Sequence, residues 1–570
     1  MLAKDRHALP DTQQRPVSML RRWSLTLAWV PIAIATLGGE LLRSQGPLGA
    51  PVTAPASPGH RMYSPWGGDT LLVDNTGAVV HTWPRGPRNV NGLYLGDDGS
   101  LWRATRVPGS PPVFGGAQGG LQRVALDGSI RWEYTLASTT QWSHHDIALL
   151  PNGNVLMIAW DLMTRTEAIA AGRDPALLST PQWLPDSIVE VQPTGPTAGA
   201  IVWEWHFMDH VVQDFDPAMA NFGEVDEHPE LLDINFPPED AQSGEWNHCN
   251  ALDYDPVRDL IMLNSPFQGE FYIIDHSTTT AEAASHAGGT YGRGGDILYR
   301  WGNPEAYRAG TGYDQKLFFQ HGAHWVPPGL PGAGNVLIFN NEAGTLQGAQ
   351  FSSVIELEFP DSFAHVTGEA YGPETLFWSY THPTTGTFYS AGLSNAERLP
   401  NGNTLVCSGG QGWLFEISRT GEIVWEHRPS PQPLMFRTAY YERYLWSDQE
   451  STSATGVTNV AFDLIAGTAQ TGQAYFLLGS ASGTAPGVPL GALELPLIPD
   501  AYTRWTFTGA SVLPGFAGTL APLGRANAVL TLPALPLLKG RTLHHAYLVL
   551  DTKTLQTVQV SNSVPLALTP

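Results

Sequence analysis

The chain has 570 residues and a formal net charge of -23, with 60 glycines, 46 prolines, 19 tryptophans and two cysteines. A chain of this length exceeds one ordinary core, so we expect two or more domains. Frequent glycine and proline disfavour long helices and favour short strands joined by turns. The negative charge, with no concentrated basic segment, disfavours nucleic acid as a partner.

The N-terminus has the pattern of an export signal. Basic residues precede an apolar run at 23–38, and a segment rich in Pro, Gly and Ala follows as far as Pro58. This order predicts an exported protein, periplasmic or extracellular, with residues 1–58 as signal and flexible leader. The run is short for a membrane span, and an uncleaved N-terminal membrane anchor is the alternative. Arg21-Arg22 matches a twin-arginine signal only loosely.

One unit recurs between residues 62 and 429: a strand, a turn rich in Asn, Asp and Gly, a second strand, and a closing segment that contains Trp. Such turns supply the positive φ of tight hairpins. Short repeats that end in an aromatic signature are typical of β-propellers. We therefore predict an all-β chain with a six-bladed propeller over 59–430, because six closing segments occur, at 80–83, 130–134, 201–205, 298–301, 376–380 and 423–427.

The spacing of the repeats predicts a long insertion in the third blade, at residues 162–245, with a short helix beginning near Thr166. Long loops in propellers commonly cover one mouth of the channel and shape a site. After a predicted linker at 431–456, residues 457–570 contain short apolar strands and Gly/Pro turns, which predict a small C-terminal β-sandwich. We expect this domain to be an accessory or partner-contacting module. Cys249 and Cys407 lie in different repeats, so a disulfide is open but unsupported.

Three histidines head the first strands of their repeats at one register. Eight residues beyond His145, His248 and His321 lie Gly153, Pro256 and Gly329, each in the turn that ends its strand. The innermost strand of every propeller blade lines the axis, so the three imidazoles should face one small volume. Taken singly, each is more simply a satisfied strand-end histidine; agreement of all three favours a site.

Imidazole is a good nucleophile near neutral pH, and a covalent intermediate splits a transfer reaction into two steps. We predict His321 as the nucleophile, with His145 and His248 as catalytic partners that orient it and stabilise negative charge. Asn250, which shares a face with His248 on an extended strand, and the neighbouring His144 and His324 are predicted to contact substrate. An apolar lining suited to an aromatic substrate is expected from Trp142, Trp246, Trp325 and Phe319.

A metal is the alternative use of three imidazoles, since they could hold zinc and leave an open position. Cys249 is close in sequence, but no carboxylate or cysteine is obviously placed to complete the ligand set. We therefore predict no metal and no cofactor.

Several segments together resemble the bacterial arylsulfate sulfotransferases, over about residues 62–429. They are Ser143-His-His-Asp-Ile, Trp246-Asn-His-Cys-Asn-Ala, Phe319-Gln-His-Gly-Ala-His-Trp, Gly334-Asn-Val-Leu-Ile-Phe-Asn-Asn, Phe351-Ser-Ser-Val and Arg398-Leu-Pro-Asn-Gly-Asn-Thr-Leu. The resemblance implies a six-bladed propeller that moves a sulfuryl group from an aryl sulfate donor to a phenolic acceptor by a ping-pong route. It implies no nucleotide sulfate donor, His321 as the sulfohistidine, and His145, His248 and Asn250 as supporting donors.

Two positions depart from the family pattern. Where the family has Ser-Ser-Arg, this chain has Asn264-Ser-Pro-Phe267, so the sulfate-binding arginine is missing. Gly322 replaces a small polar or acidic residue after the nucleophile. Arg293 and Arg398 are the cations to consider as substitutes. The missing arginine favours an alternative function, a non-catalytic propeller that binds a glycan, protein or phenolic ligand in its channel; the intact histidines favour the transferase.

Overall fold

The computed structural model describes residues 55–570 except 87–90, 97–99, 109–114, 238–243, 443, 450, 492 and 511–512. The predicted signal and most of the predicted leader lie outside the described residues. None of the helices in the described ranges is long and apolar enough to span a membrane. The leader prediction was wrong at its end, because Ser57 is buried and its N–H donates to Glu416 Oε1 at 2.7 Å.

The all-β prediction is confirmed, and the described residues contain six four-stranded antiparallel sheets. The first contains β1 (His60–Pro65), β2 (Thr70–Val73) and β3 (Val79–Trp83), and the second β4 (Leu93–Leu95), β5 (Leu101–Arg106), β6 (Gly119–Val124) and β7 (Ile130–Thr135). The third is built from β8 (Gln141–Leu149) and β9 (Val155–Asp161), then, after β10 (Met163–Thr164), α1 (Arg165–Ala170) and β11 (Gln182–Trp183), from β12 (Asp186–Gly195) and β13 (Ala198–His206).

Three further sheets follow the short parallel pair β14 (Val211–Val212) and β15 (Leu232–Asp233). The fourth has β16 (Ala251–Asp255), β17 (Leu260–Ser265), β18 (Glu270–Asp275), α2 (Thr280–Ala283) and β19 (Tyr299–Trp301). The fifth has β20 (His321–Trp325), β21 (Val336–Asn340), β22 (Ser353–Leu357) and β23 (Trp378–Tyr380). The sixth has β24 (Asn395–Arg398), β25 (Thr404–Ser408), β26 (Trp413–Ile417) and β27 (Ile423–His427).

The ring is closed by a strand from beyond the sixth sheet. β28 (Met435–Tyr441) pairs with β1 and becomes the innermost strand of the first sheet. Its innermost neighbours are β24 on one side and β4 on the other, and the Gly92 N–H donates to the His145 carbonyl to join the second and third sheets. The prediction that the propeller ends at 430 and a linker follows was therefore wrong: without residues 435–441 the first sheet lacks a strand.

Burial follows the position of each strand in its sheet. The second strands β17, β21 and β25 are buried throughout, whereas the closing strand β27 is partly exposed along its length. Sheets covered on both faces carry nearly continuous apolar runs, which is the pattern of these second strands. Each buried Val, Leu, Ile or Phe contributes roughly 1.5–3 kcal/mol. The six predicted closing segments all fall in fourth strands or at their edges.

The predicted insertion at 162–245 was wrong in its extent, because it contains β12 and β13, the third and fourth strands of the third sheet. Two separate insertions remain, before β12 and after β13. The predicted helix is α1, whose first turn is fixed by a capping box between Thr164 and Glu167. Short 3₁₀ turns also occur, at Pro175–Leu177, Phe207–Asp209, Val225–Glu227, Pro304–Tyr307, Thr345–Gln347, Gly409–Gln411, Thr468–Gln470, Pro522–Gly524 and Pro536–Leu538.

The C-terminal region has two larger sheets and a hairpin. A three-stranded sheet contains β29 (Tyr444–Ser447), β31 (Thr458–Ile465) and β36 (Arg525–Leu532). A larger sheet contains β30 (Ser451–Ser453), β32 (Ala474–Ser480), β35 (Ala517–Thr519), β37 (Thr542–Leu550), β38 (Thr557–Val560) and β39 (Val564–Thr569). The hairpin is β33 (Val488–Leu490) and β34 (Leu493–Leu495), and α3 is Ala501–Thr508. Both sheets contribute to one core, for example through Phe462 and Tyr547. Cys249 and Cys407 are buried free thiols.

Candidate active site

The structure brings the three register-matched histidines together on the inner strands. The rings of His145 and His248 meet edge to face with centroids 4.6 Å apart. Phe436, on the closing strand β28, lies 6.0 Å from the His145 ring and 6.3 Å from the His321 ring. Burial lowers the pKa of His145 well below its usual range, and the neighbouring His248, His144 and His321 lower it further. The three imidazoles therefore share one buried volume.

Backbone strain is concentrated at the heads of the strands around this volume. His145 and His248 both have φ of 52°, Phe319 has φ of 56°, and the consecutive Leu393 and Ser394 have φ of 62° and 90°. Non-glycine residues in this left-handed region cost about 1–3 kcal/mol each and persist where the surroundings fix them, often at functional sites. The shared conformation turns the chain next to the histidines.

The tautomer of His321 is set by a neighbour that the sequence reading missed. Nδ1 lies 2.9 Å from Asn341 Oδ1 and 3.1 Å from the Phe319 carbonyl. The Asn341 amide group donates to the carbonyls of Ser390 and Leu393, so its oxygen must face His321. Since both partners of Nδ1 are acceptors, Nδ1 carries the proton and Nε2 has the lone pair.

Nε2 of His321 accepts a hydrogen bond from the backbone N–H of Leu393 at 3.1 Å. Burial lowers the pKa of His321 to about 4, an effect that the Asn341 hydrogen bond opposes and the nearby His248 reinforces. The ring is therefore neutral near pH 7. A neutral imidazole with a directed lone pair is the form needed for nucleophilic attack.

The other two histidines are each supported from behind. His248 Nδ1 lies 3.0 Å from Glu245 Oε2, and the Glu245 side chain is buried. His145 Nδ1 lies 2.7 Å from His144 Nδ1, and His144 Nε2 lies 3.2 Å from Asp186 Oδ1. A carboxylate behind a histidine orients the ring and stabilises the charge that it gains with a proton. Two such arms therefore end in the shared volume.

Two predicted substrate contacts have other roles. Asn250 donates to the Gln320 carbonyl at 3.0 Å and accepts from Asn264 at 2.7 Å, so its amide fixes the backbone just before His321. His144 is buried against Trp160, with ring centroids 4.0 Å apart, and supports His145 instead of facing the shared volume. Both side chains are engaged by these protein contacts, and their contact with substrate stays a prediction.

His324 lies elsewhere. Its ring is on the wall of a second cavity of about 640 Å³, together with Arg437, Asp146 and Asp253, where burial lowers its pKa to about 4. Residues of the C-terminal region, such as Asn562, also line this cavity. His324 therefore lines a different cavity from the three histidines, and its contact with substrate stays a prediction.

The aromatic lining also differs from the prediction. Phe267 stacks on the His248 ring, with centroids 4.7 Å apart and planes 9° apart, and Phe319 lies beside it at 5.6 Å. Of the four predicted residues only Phe319 lies near the histidines in these contacts. Trp246 packs instead in a core with Trp183, Trp325 packs against Phe359, and Trp142 packs against Trp160 and Leu184.

Phe267 lies in the segment 264–267, for which the resemblance implies an arginine that this chain lacks, and its ring presents an aromatic face beside His248. Both predicted substitutes are engaged elsewhere. Arg398, on β24 of the sixth sheet, pairs with Glu356 on β22 of the fifth, and Arg293 borders a surface cavity beside Tyr291. Gly322 has a physical reason, because its φ is +64° and an added Cβ would lie 2.8 Å from Asn395 Cβ.

The zinc alternative finds no support at the three histidines. Among the described residues, the one group of His, Cys, Asp and Glu whose ligand atoms lie within 4.8 Å of one another is His210, His286 and Asp296, in a different region. Asn341 and Glu245, which orient His321 and His248, were not predicted from the sequence. Asn341 ends the Gly334-Asn-Val-Leu-Ile-Phe-Asn-Asn segment, and that paired Asn was the signal available in the sequence.

The arylsulfotransferase (ASST) family model matches residues 62–283. This range includes His145, His248 and Asn250 and ends before His321. The six four-stranded antiparallel sheets define the fold as a β-propeller. None of the curated proteins compared with the chain matches it.

Similar solved structures are remote. A protein of unknown function from Bacteroides caccae is 11% identical, with 67% of this chain and 99% of that chain covered and a TM-score of 0.37. Virginiamycin B lyase from Staphylococcus aureus is 11% identical, with 72% and 95% covered and a TM-score of 0.30. The WD40 β-propeller domain of Doa1 is 10% identical, with 68% and 88% covered and a TM-score of 0.31. Similarity at this level says nothing about function.

Proposed function

We propose that the protein is an arylsulfotransferase-like enzyme that moves a sulfuryl group from an aryl sulfate ester to a phenolic acceptor through a sulfated His321. The observation that carries this proposal is the fixed tautomer of His321, whose neutral ring presents the Nε2 lone pair beside His145 and His248. The family match over residues 62–283 supports the same reaction class.

In the first step, Nε2 of His321 attacks the sulfur atom, the N–S bond forms and the bond from sulfur to the aryl oxygen breaks. The leaving aryloxide takes a proton from Nε2 of the His248 imidazolium, whose charge Glu245 stabilises. The sulfated ring keeps its proton on Nδ1, where Asn341 accepts it as a hydrogen bond. In the second step, neutral His248 removes the proton of the phenol, whose oxygen attacks sulfur while the N–S bond breaks.

Donors other than arginine stabilise the sulfuryl oxygens in this proposal. The Leu393 N–H already points at Nε2 from 3.1 Å, so it lies next to any group that binds there. His145 lines the same volume, and the contact of its Nδ1 with His144 Nδ1 fixes its ring, while His144 Nε2 lies 3.2 Å from Asp186. Phe267 and Phe319 offer aromatic faces to the aryl group of donor and acceptor.

The substrates are then small phenols and their sulfate esters, and the N-terminal signal pattern supports a reaction outside the cytoplasm, periplasmic or extracellular. The proposal requires no nucleotide and no metal.

The test is incubation of the purified chain with an aryl sulfate alone, followed by intact-mass and peptide analysis. We expect a mass gain of one sulfuryl group on the peptide that contains His321, and its loss when a phenol is added. His321→Ala should abolish both the modification and phenol release. His324→Ala is the matched control, since it removes a histidine from the same strand that lines the second cavity.

Phenol release that survives in His321→Ala would reject the nucleophile. A chain that binds phenols or glycans with no turnover of any aryl sulfate would favour the binding-protein alternative, because His321 Nε2 would then be occupied permanently by the Leu393 N–H.

A further inference from the structure

A second cluster of metal-ligating side chains lies outside the histidine site. His210 Nδ1 and His286 Nδ1 lie 2.9 Å and 2.7 Å from the same oxygen, Asp296 Oδ1. His210 follows the 3₁₀ turn Phe207–Asp209 in the insertion after β13, whereas His286 and Asp296 lie in the connection between α2 and β19. The cluster therefore joins the third sheet's insertion to the loop of the fourth sheet.

His210 Nδ1 and Asp296 Oδ1 face each other at 2.9 Å, so either a proton or a cation lies between them. His210 Nε2 lies 2.8 Å from the Ala283 carbonyl, which can only accept, so Nε2 carries a proton. In the neutral ring Nδ1 is then an acceptor that faces the acceptor Asp296 Oδ1. The ring cannot turn away, because it is fully buried and stacked on Trp205 with the planes 7° apart. A cation between the two atoms satisfies both.

The contacts that hold the His210 ring are those typical of a metal-binding histidine. Histidines that bind metals usually donate their other ring N–H to a carbonyl or carboxylate, which fixes the ring and its tautomer. The Trp205 indole N–H in turn donates to the Gly295 carbonyl at 2.7 Å, next to Asp296. An added Cβ on Gly295 would lie 2.6 Å from His210 Nε2, so the close approach at this position requires glycine.

The ligand chemistry selects the kind of ion. Two imidazoles and one carboxylate suit zinc and similar transition metals, whereas Mg²⁺ and Ca²⁺ prefer oxygen ligands. Bonds of about 2.0–2.2 Å at tetrahedral angles separate neighbouring ligand atoms by roughly 3.3 Å. Opening the two observed contacts by about half an ångström meets this geometry. His286, with 64% of its side chain exposed, can make that movement.

Three protein ligands leave one tetrahedral position open, as in catalytic zinc sites. His286 also lines a cavity of about 500 Å³, together with Asp209, Asn221 and Phe222 of the insertion. A ligand on the open position would therefore be reached from this cavity.

We propose that His210, His286 and Asp296 bind one Zn²⁺-class transition-metal ion, which ties the insertion after β13 to the loop before β19 and keeps an exchangeable position toward the cavity. This site does not depend on the proposed sulfuryl transfer, and its test does not use that activity.

The experiment loads the metal-stripped full-length chain with Zn²⁺ and measures bound zinc and affinity by competition with a chromophoric chelator. We expect one ion per chain, no displacement by excess Mg²⁺ or Ca²⁺, and a rise in the thermal unfolding temperature with zinc. Loss of a direct ligand in His286→Ala or Asp296→Asn should weaken binding by more than about 100-fold, the upper end for outer-sphere partners. His286→Ala tests an exposed side chain and should fold normally.

His228→Ala is the matched control, because His228 lines the same cavity, is 43% exposed and pairs with Glu230 instead of Asp296; it should bind zinc like the parent chain. The proposal fails if the parent chain binds no zinc, which would leave the cluster a protonated hydrogen-bond network. It fails equally if His286→Ala and Asp296→Asn bind zinc as tightly as the parent chain does, and loss of zinc in His321→Ala would then place the ion at the three histidines.

Discussion

The Asn341 side chain holds His321 from behind: its oxygen accepts from Nδ1 at 2.9 Å while its amide group donates to the carbonyls of Ser390 and Leu393 at 2.7 and 2.9 Å. A neutral partner fixes the ring without adding charge. Such a neutral partner suits a buried imidazole whose pKa is about 4, because the ring is then neutral near pH 7 and carries its single proton on Nδ1.

Replacing this neutral partner by a carboxylate should move the pH profile. In Asn341→Asp the added negative charge stabilises the imidazolium and raises the pKa of His321, by roughly 1–3 pH units for a carboxylate in direct contact. Because protonated His321 cannot attack sulfur, the acid limb of the sulfation rate should move from near pH 4 to higher pH. The measurement is the rate of sulfo-enzyme formation between about pH 5 and 7, where the parent profile should be flat.

Asn341→Ala serves as its control. The alanine removes orientation without charge, so the rate should fall at every pH while the profile stays flat in this range. An Asn341→Asp profile that coincides with the parent's would show that His321 does not titrate in the rate-limiting attack.

Glu245→Gln should slow the release of poor leaving groups most. The amide keeps the size of the side chain that lies 3.0 Å from His248 Nδ1 but no longer stabilises an imidazolium. General acid catalysis contributes roughly 10²–10⁴-fold when the leaving group needs a proton. We expect a loss in this range with phenyl sulfate and a much smaller loss with 4-nitrophenyl sulfate, measured as kcat/KM.

Equal losses with both donors would contradict the acid role of His248 and leave Glu245 as a purely structural partner. Asp186→Asn is the comparison variant, because it weakens the other arm, which reaches His145 through His144.

Phe267→Arg should improve binding of the anionic donor. Phe267 is only partly buried and stacks on His248, in the segment 264–267 that begins at the end of β17. A guanidinium can keep this stacking and add a charge-assisted hydrogen bond worth about 1.5–3 kcal/mol. We expect KM for aryl sulfates to fall by about tenfold or more. Phe267→Met, whose side chain is long and uncharged, is the control and should not lower KM. If the KM of Phe267→Arg is no lower than that of Phe267→Met, the donor binds away from His248.

The convergence of the histidines could be predicted because it rests on a repeat: equal distances to the strand-ending turns put His145, His248 and His321 at matching heads. The side chains that face these three histidines could not be predicted from the sequence. Alternation along the strand fails at His145, where φ is positive and the pairing register of β8 shifts between Ser143 and Ile147. Trp142, three residues before His145, packs away from the site, on the face that the two-residue period gives it.

The remaining parts of the site could not be predicted, because they come from distant segments of the chain or from the backbone. Phe436 belongs to β28, which pairs with β1 from the other end of the propeller, and no local pattern announces that pairing. Glu245 comes from the end of an insertion, and the contribution of Leu393 is a backbone N–H, which no side-chain motif records.

The last prediction concerns Arg437, the buried arginine that lines the second cavity together with His324. Arg437, on the closing strand β28, lies 3.3 Å from Asp146 and 3.9 Å from Glu397, and all three side chains are largely buried. Burial raises the pKa of both carboxyl groups, and the arginine opposes that rise. Removing one partner of a buried ion pair leaves uncompensated charge, so Arg437→Met should lower the free energy of unfolding by about 3–5 kcal/mol near pH 7.

The sign of the pH effect separates this cause from lost packing. Without the arginine the pKa of Asp146 and Glu397 rises further, so the folded variant binds protons at higher pH than its unfolded chain does. Its deficit relative to the parent should therefore shrink as pH falls toward 5. Urea unfolding at both pH values is the measurement, with the exposed Arg428→Met, 38% accessible, as the control near zero. A deficit that stays constant with pH would mean that Arg437 acts by filling space and that the carboxylates do not need its charge.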